Sequence, residues 1–229
     1  MKSSRFNVVA RTGLAVFLSG ASVTFAFASM GGAEAFAVLG GSAVTCTGSA
    51  IEGNIGVDLG GAVTQTGCAL SGVVEAGSSV AHQAHGDIVR AYTAMAAVPC
   101  DVNLTGHTLI GQSLAPGVYC FDSAVTETGG LLTLLGSATD TWIFKIGTSG
   151  TGALTGTSFS VNMPGAKLCN DNVFWLAADA VTLTESAFVG TLMAGAGVTV
   201  TGGRVDGQAL AKAAVTLTGT SVCGPPPRV

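Results

Sequence analysis

A short phrase of alternating aliphatic and threonine residues occurs three times near the C-terminus, at 181–184, 198–201 and 215–218. The copies start 17 residues apart, at 181, 198 and 215. In a strand successive side chains point to opposite faces, so Val and Leu share one side and the threonines the other. Stacked about 4.7–4.8 Å apart, the copies would align uncharged hydroxyl and methyl groups on one surface. The residues concerned are Thr182, Thr184, Thr199, Thr201, Thr216 and Thr218.

A constant period of this length, bounded by glycine, indicates the coils of a β-solenoid. Similar phrases occur at 44–48 and 63–67, which are 19 residues apart, and again at 125–129 and 154–157. The 34 glycines suit the tight corners of such a fold. We therefore predict an all-β solenoid.

The composition excludes several functional classes. The chain has 229 residues, enough for one domain of ordinary size, and only 10% of them are charged. The net charge is −4, and no run of Lys or Arg occurs beyond the N-terminus. Nucleic-acid binding by phosphate neutralisation is therefore not expected, and the low charge does not suit a helical enzyme.

Residues 1–28 have the features of a secretory signal peptide: an early basic region, an apolar run and the small-x-small sequence at 26–28. A membrane anchor is the alternative, although the apolar run is short for a spanning helix. A second possible cleavage point follows Ala35. We predict a secreted, extracellular protein with a solenoid domain over 29–222 and a Pro-rich tail over 223–229.

One segment has helical rather than strand periodicity, at about 79–97. Its apolar positions are Val80, Ala84, Ile88, Ala91, Tyr92 and Met95. Ser78 or Ser79 can cap its start, and Pro99 prevents its continuation. A single amphipathic helix cannot bury its apolar stripe alone, so we predict that it packs along the solenoid.

The six cysteines include no C-x-x-C pair, so a zinc ribbon or thioredoxin-type site is not indicated. An even number in a secreted chain favours disulfides. Cys46 and Cys68 are separated by about one coil, which makes a bridge between neighbouring coils plausible, while the other four cannot be paired from the sequence. Unpaired buried cysteines are the alternative.

Residues suited to metal binding or catalysis are scattered. His82 and His85 are three residues apart on the helix and could share a metal, but a solvated helix face is the preferred interpretation. Asp122, Asp140, Asp171 and Asp179 could in principle supply the acid pair of a polysaccharide-degrading β-helix enzyme. Because no cluster of acids and bases is evident, we predict neither an enzyme nor a metal, cofactor or small-molecule substrate.

The order and spacing of several motifs resemble the DUF3494 family of ice-binding proteins. The motifs are Phe-Ala-Val-Leu-Gly-Gly-Ser at 36–42, Gly-Asn-Ile-Gly-Val at 53–57, Ala-Tyr at the end of the helix, Gly-Val-Tyr-Cys-Phe at 117–121, Asn-Val-Phe-Trp at 172–175 and Phe-Val-Gly at 188–190 with Ala194. The resemblance covers about residues 35–222. It implies an irregular right-handed β-solenoid of triangular cross-section, with the helix along its axis and N-terminal coils closing the stack.

The resemblance also implies adsorption to ice through one flat face. Some family members carry a Thr-Gly-x-Thr/Asn motif there, whereas Thr201-Gly202 is followed here by Gly203-Arg204. The six threonines are our candidate ice-binding residues, and the face carrying Thr191 and Gln208 is an alternative. We expect a monomer whose partner is an ice surface. The competing hypotheses are a structural or adhesive cell-surface solenoid without ice activity and, third, a carbohydrate-active enzyme.

One position conflicts with a simple repeat. Gln65 and Glu127 occupy the place that Leu183, Val200 and Leu217 fill in the regular phrases. A carboxylate facing the core would be costly unless paired. We therefore predict that the first coils place this phrase nearer a corner.

Overall fold

The computed structural model describes residues 30–165, 169 and 172–224, so the predicted signal segment 1–28 and most of the tail lie outside it. Its elements are, in chain order, a 3-10 helix (Gly31–Ala35), β1 (Phe36–Gly40), β2 (Ala43–Thr47), β3 (Ala50–Glu52), β4 (Asn54–Val57), β5 (Ala62–Thr66), β6 (Ala69–Leu70), β7 (Val74–Ala76), α1 (Ser79–Ala96), β8 (Val102–Asn103), β9 (Ser113–Leu114), β10 (Gly117–Phe121), β11 (Val125–Thr128), β12 (Leu131–Leu134), β13 (Trp142–Ile146), β14 (Leu154–Thr157), β15 (Ser160–Asn162), β16 (Val173–Ala177), β17 (Val181–Thr184), β18 (Ala187–Val189), β19 (Thr191–Ala194), β20 (Val198–Thr201), β21 (Arg204–Asp206), β22 (Ala209–Ala211), β23 (Ala214–Thr218) and β24 (Ser221–Cys223).

The strands form three parallel sheets that are the faces of a triangular solenoid. Sheet A has nine strands in the order β7-β4-β1-β22-β19-β16-β13-β10-β8. Sheet B has seven, β11-β14-β17-β20-β23-β2-β5, and sheet C has eight, β6-β3-β24-β21-β18-β15-β12-β9. A regular coil contributes one strand to each sheet in turn. The predicted solenoid fold is confirmed.

The coils are not stacked in chain order. The last coil, β22-β23-β24, is followed in space by the first, because β1 pairs with β22, β2 with β23 and β3 with β24. The coil β4-β5-β6 stacks next and β7 ends that side. The N-terminal coils therefore lengthen and close the C-terminal end of the stack, as the family resemblance implied.

Inward-facing residues of all three sheets form a continuous apolar core. Its bulkiest part is a group of aromatic rings in the coils before β19. Phe144 stacks on Trp175 with ring centroids 4.0 Å apart, and Phe188 meets Trp175 edge-on at 5.1 Å. Tyr119 and Phe159 extend the group at its two ends.

Helix α1 confirms the predicted helix and covers the outer side of sheet A. The Ser78 hydroxyl caps it by accepting a hydrogen bond from the Ala81 N–H at 3.1 Å. Its buried stripe is Ala81, Ala84, Ile88, Ala91 and Met95, which packs on outward residues of sheet A. Val80, assigned to that stripe from its spacing, is 55% exposed because the stripe runs through Ala81.

The far end of α1 is held by a buried lysine. The Lys145 ammonium donates hydrogen bonds to the carbonyls of Ala96 and Val98, at 2.9 and 2.6 Å. A cation at a helix C-terminus is favourable, while burial lowers the pKa of Lys145. Across the described ranges, no helix combines the length and apolar character needed to cross a membrane.

The N-terminal segment packs on the same side of the solenoid as α1. Thr191 and Gln208 lie beneath it, only 5% and 2% exposed. The Gln208 amide donates to the carbonyls of Ala33 and Phe36, at 2.9 and 2.6 Å. The side chains of Thr191 and Gln208, which were to mark the alternative ice-binding face, are therefore covered and do not offer an open surface.

All six cysteines form disulfides. Cys46 is joined to Cys68, Cys100 to Cys120, and Cys169 to Cys223. The first bridge links β2 to the turn after β5, with Cα atoms 6.2 Å apart, so it joins neighbouring coils. The second fixes the segment after α1 to sheet A.

Replacing both Cys46 and Cys68 by serine is expected to lower the free energy of unfolding by roughly 3 kcal/mol. The bridge closes a loop of 22 residues, and the estimate is the chain-entropy cost of that loop. Urea denaturation of the double variant, beside the unmodified protein under oxidising conditions, measures the difference. Equal midpoints, or free thiols at both positions in peptide maps of the unmodified protein, would contradict the prediction.

Candidate functional site

Sheet B carries two threonines in each of its seven strands. The strands pair in register, so the threonines form two straight columns across the sheet. The first column is Thr126, Thr155, Thr182, Thr199, Thr216, Thr45 and Thr64, and the second is Thr128, Thr157, Thr184, Thr201, Thr218, Thr47 and Thr66. We call this surface the Thr array. None of its members is buried.

The six candidate threonines lie in the three central strands of this array. Strands β11 and β14 on one side, and β2 and β5 on the other, supply the remaining members. The sequence contained their signal, the same Thr-x-Thr phrase, but those copies do not follow the 17-residue period. Pairing of β14 with β17 brings β11 and β14 onto this face, and stacking of the N-terminal coils on β23 brings β2 and β5 onto it.

The spacing of the array follows from sheet geometry. Alternate residues of a parallel strand are about 6.6 Å apart, and neighbouring strands are about 4.7–4.9 Å apart. Two residues before the first threonine of each strand, the next outward position is occupied by alanine or glycine. These residues are Ala124, Ala153, Ala180, Gly197, Ala214, Ala43 and Ala62. The surface is therefore flat and free of long side chains.

The other two faces differ in kind. Sheet A is covered by α1 and the N-terminal segment. Sheet C carries Arg204 and Asp206, whose charged groups approach to 3.3 Å, as well as Glu52 and the disulfide at Cys223. Of the three faces over the described residues, only sheet B is open, uncharged and regular.

The inward side of sheet B holds the face straight. Val181, Leu183, Val198, Val200 and Leu217 are at most 1% exposed. Each such buried aliphatic side chain contributes roughly 1.5–3 kcal/mol. In strand β14 the corresponding inward position is Gly156, where an added methyl group would lie 3.0 Å from Leu183 and 3.3 Å from Phe188. The glycine leaves room for the aromatic group.

Glu127 corrects the prediction that its phrase lies near a corner. It is in register with Gly156 and Leu183, faces the interior and is 2% exposed. Its carboxylate accepts hydrogen bonds from the Thr108 hydroxyl at 2.6 Å and the Leu109 N–H at 2.7 Å. Strand β11 is the edge strand of sheet B, and the loop 104–112 covers its inner side. The loop supplies the hydrogen-bond donors that a buried carboxylate needs.

Gln65 marks the opposite edge of the same sheet. It is in register with Cys46 in strand β5 and is exposed, because β5 is the last strand of sheet B. A polar residue at this position is therefore solvated. The two exceptions to the aliphatic repeat are explained by the ends of the stack rather than by a corner.

The corner between sheets B and C is built alike in every coil. The residue after the second threonine has a positive φ in all seven, at Gly129, Ser158, Glu185, Gly202, Gly219, Gly48 and Gly67. Behind it, buried hydroxyls tie successive coils together. Ser49 accepts from the Thr220 N–H at 3.2 Å, and Thr220 donates to the Gly203 carbonyl at 3.1 Å. These bonds keep the corner, and thus the edge of the Thr array, in register.

The histidines are not simply solvated, as preferred from the sequence, because both meet Asp58. The Nδ1 atoms of His82 and His85 lie 2.6 and 3.1 Å from its carboxylate oxygens. Burial alone would raise the pKa of Asp58, but the hydrogen bond with His82, the Leu59 N–H and the two imidazoles together lower it. The group joins the start of α1 to the turn after β4.

The carboxylates considered for catalysis have local structural partners. Asp122 accepts from Thr148 at 2.7 Å and Asn103 at 3.2 Å, and Asp140 accepts from the Ser137 N–H at 2.8 Å. Asp179 accepts from the Gly152 N–H at 2.8 Å. Asp171 lies outside the described residues. The three described carboxylates stabilise three different turns.

Three parallel sheets around one core, with one open face lined by uncharged threonines, define a triangular β-solenoid with one regular polar face. A family model described as ice-binding-like matches residues 38–223. An ice-binding protein of Nostoc sp. (strain HG1) is 36% identical over 170 residues, covering 72% of this chain and 61% of the relative. Ice-binding protein K3-B1 of Typhula ishikariensis is 30% identical over 190 residues, covering 72% and 76%.

Solved structures agree with these similarities. The crystal structure of an ice-binding protein from the Antarctic ascomycete Antarctomyces psychrotrophicus superposes with a TM-score of 0.75 at 30% identity, covering 86% of this chain and 97% of that one. The chain belongs to the ice-binding-like family. It spans about three fifths of the length of the Nostoc relative, at 61%.

Proposed function

We propose that this protein adsorbs to ice through the Thr array of sheet B and so restrains the growth or recrystallisation of ice crystals. The proposal rests chiefly on one observation, the two columns of threonines that run in register across all seven strands. Membership of the ice-binding-like family supports the same ligand.

The chemistry of the array suits a crystalline water surface. Ice presents neither charge nor pocket, so a binder needs flatness, rigidity and many weak matched contacts. Each threonine hydroxyl can hold a water molecule, and its methyl group and the neighbouring alanines limit where that water can lie. Regular spacing in two directions then orders many waters at once. Buried aliphatic residues and parallel pairing on both sides keep the array from bending.

Several accompanying features belong to the proposal. We expect a monomer that acts without catalysis, cofactor or small-molecule substrate. The competing hypothesis of a structural or adhesive cell-surface solenoid is not favoured, because it requires neither an open uncharged face nor threonines in register. A carbohydrate-active enzyme is less suited still, since Asp122, Asp140 and Asp179 each support a separate turn.

Growth of an ice ball in a solution of the fluorescently labelled protein tests the proposal directly. The label should enter the ice with the unmodified protein, and a microlitre-scale osmometer should record thermal hysteresis and faceted crystals. A labelled protein of similar size and no ice affinity is the control. Exclusion from the ice, with no hysteresis and no crystal shaping, would contradict the proposal and favour the structural or adhesive hypothesis.

Export with cleavage after Ala28 is a separate expected result. Residues just beyond that point are integrated in the fold, since Met30 is 7% exposed and Ala33 is fully buried. Cleavage after Ala35 would remove both, together with the Ala33 carbonyl that Gln208 binds. N-terminal sequencing of the exported protein should therefore begin at Ser29. A mature terminus at Met1 or Phe36 would contradict this prediction.

A further inference from the structure

The corner beside the second threonine column contains one residue that departs from its pattern in two ways. Five of the seven positive-φ residues there are glycine, while Ser158 and Glu185 are not. Glu185 has φ 50°, in the left-handed region that a residue with a Cβ atom adopts only at an energetic cost. It is also the one charged residue among the outward and corner positions of the seven sheet B strands, all of which the structure describes.

The side chain of Glu185 runs along this corner to the next coil. Its carboxylate lies against the Cα atom of Gly202, where a methyl group would overlap both carboxylate oxygens. Gly202 directly follows Thr201, and consecutive Cα atoms are about 3.8 Å apart. The carboxylate therefore lies at the margin of the Thr array, beside the end of the second column where Thr201 lies.

A carboxylate at this margin limits what can approach it. Its oxygens hold a shell of oriented water, and removing that shell without a compensating partner is costly. An ice surface supplies no cation to compensate. The carboxylate therefore opposes close contact of ice with the second column at this point. The first column, whose member in the same strand is Thr199, is unaffected.

We infer that Glu185 sets the lateral boundary of the ice-contacting surface and keeps Thr201 outside it. This inference rests on the proposed function. Thr218 provides an internal comparison, because it occupies the same column one coil further on and is followed by Gly219, which has no side chain. Thr218 lies inside the contact area and Thr201 does not.

Four variants test the boundary: Thr201→Tyr, Thr218→Tyr, Glu185→Gln, and Glu185→Gln combined with Thr201→Tyr. A bulky side chain lifts the protein from ice only where it lies inside the contact area. Thr218→Tyr should abolish most of the hysteresis, and Thr201→Tyr should remove much less. Glu185→Gln keeps the length of the side chain and should raise hysteresis at equal concentration. In that background Thr201→Tyr should become as damaging as Thr218→Tyr.

The outcomes separate this inference from the proposed function. If the unmodified protein shows hysteresis but Thr201→Tyr and Thr218→Tyr cause equal losses, the boundary is absent and ice adsorption stands. Unchanged or lower hysteresis in Glu185→Gln likewise overturns the boundary. An unmodified protein without hysteresis overturns the proposed function itself. Thermal melting of each variant identifies any loss caused by unfolding, and Ala180→Tyr on the opposite margin provides a second obstructed position if Thr218→Tyr does not fold.

Discussion

Replacing Thr199 by lysine is expected to abolish most of the thermal hysteresis while leaving thermal melting nearly unchanged. Thr199 is exposed in the first column of the Thr array, in strand β20, with strands paired on both sides. An exposed substitution of this kind changes the free energy of unfolding by about 0.5 kcal/mol or less. A lysine that protrudes from the middle of a flat face nevertheless separates the neighbouring threonines from the lattice and brings a hydrated charge to it.

Thr93→Lys is the matched control for this variant. Thr93 is also exposed, but it lies on α1, which covers sheet A on another side of the solenoid. The substitution and the change in net charge are the same in both variants. Thr93→Lys should retain full hysteresis and melting. Hysteresis that survives Thr199→Lys would move the ice-contacting surface away from sheet B, and equal losses in both variants would indicate a general effect of charge.

Replacing Trp175 by alanine is expected to reduce the free energy of unfolding by about 3–5 kcal/mol. Trp175 is fully buried, stacks on Phe144 and meets Phe188 edge-on. Its indole N–H donates to the Val189 carbonyl at 3.1 Å, so the variant also leaves that buried acceptor without its partner. Its strand β16 is paired with β13 on one side and β19 on the other, so the cavity cannot collapse without bending the sheet.

The variant Trp175→Phe separates the contribution of ring packing from that of the hydrogen bond. It keeps an aromatic ring next to Phe144 and loses the hydrogen bond to Val189, so a smaller loss of stability is expected. Chemical denaturation at constant temperature, with the slope compared between variants, measures both changes. A loss below about 1 kcal/mol for Trp175→Ala would contradict the packing described for the aromatic group.

The sequence by itself determined those features that arise from local periodicity. Strict alternation over four residues decides which face of a strand is apolar, so the outward direction of Thr182, Thr199 and Thr216 could be predicted. The helix was predictable because its apolar residues repeat at helical spacing, with Ser78 and Pro99 at its ends. The spacing of Cys46 and Cys68 indicated one coil between them, and the structure joins them in a disulfide.

The error at Val80 shows the limit of such periodicity. Either Val80 or Ala81 continues an apolar stripe through Ala84, and hydrophobicity favours valine. Packing selected Ala81, because a small side chain permits the close approach of α1 to the N-terminal segment and sheet A. Close approach of two elements is decided by shape rather than by hydrophobicity alone.

Only the tertiary structure decided how far the Thr array extends and where it ends. Strand β2 pairs with β23, which lies about 170 residues later in the chain, and no local pattern specifies that register. Both strands were free edges of coils with the same apolar face, and parallel pairing satisfies their backbone groups while extending the core. The same stacking buries Glu127 at one end, where the loop 104–112 binds it, and leaves Gln65 in solvent at the other. Alternation can show which way a threonine points. The neighbours of its strand depend on which strand edges, distant in the sequence, are free to pair when the coils stack.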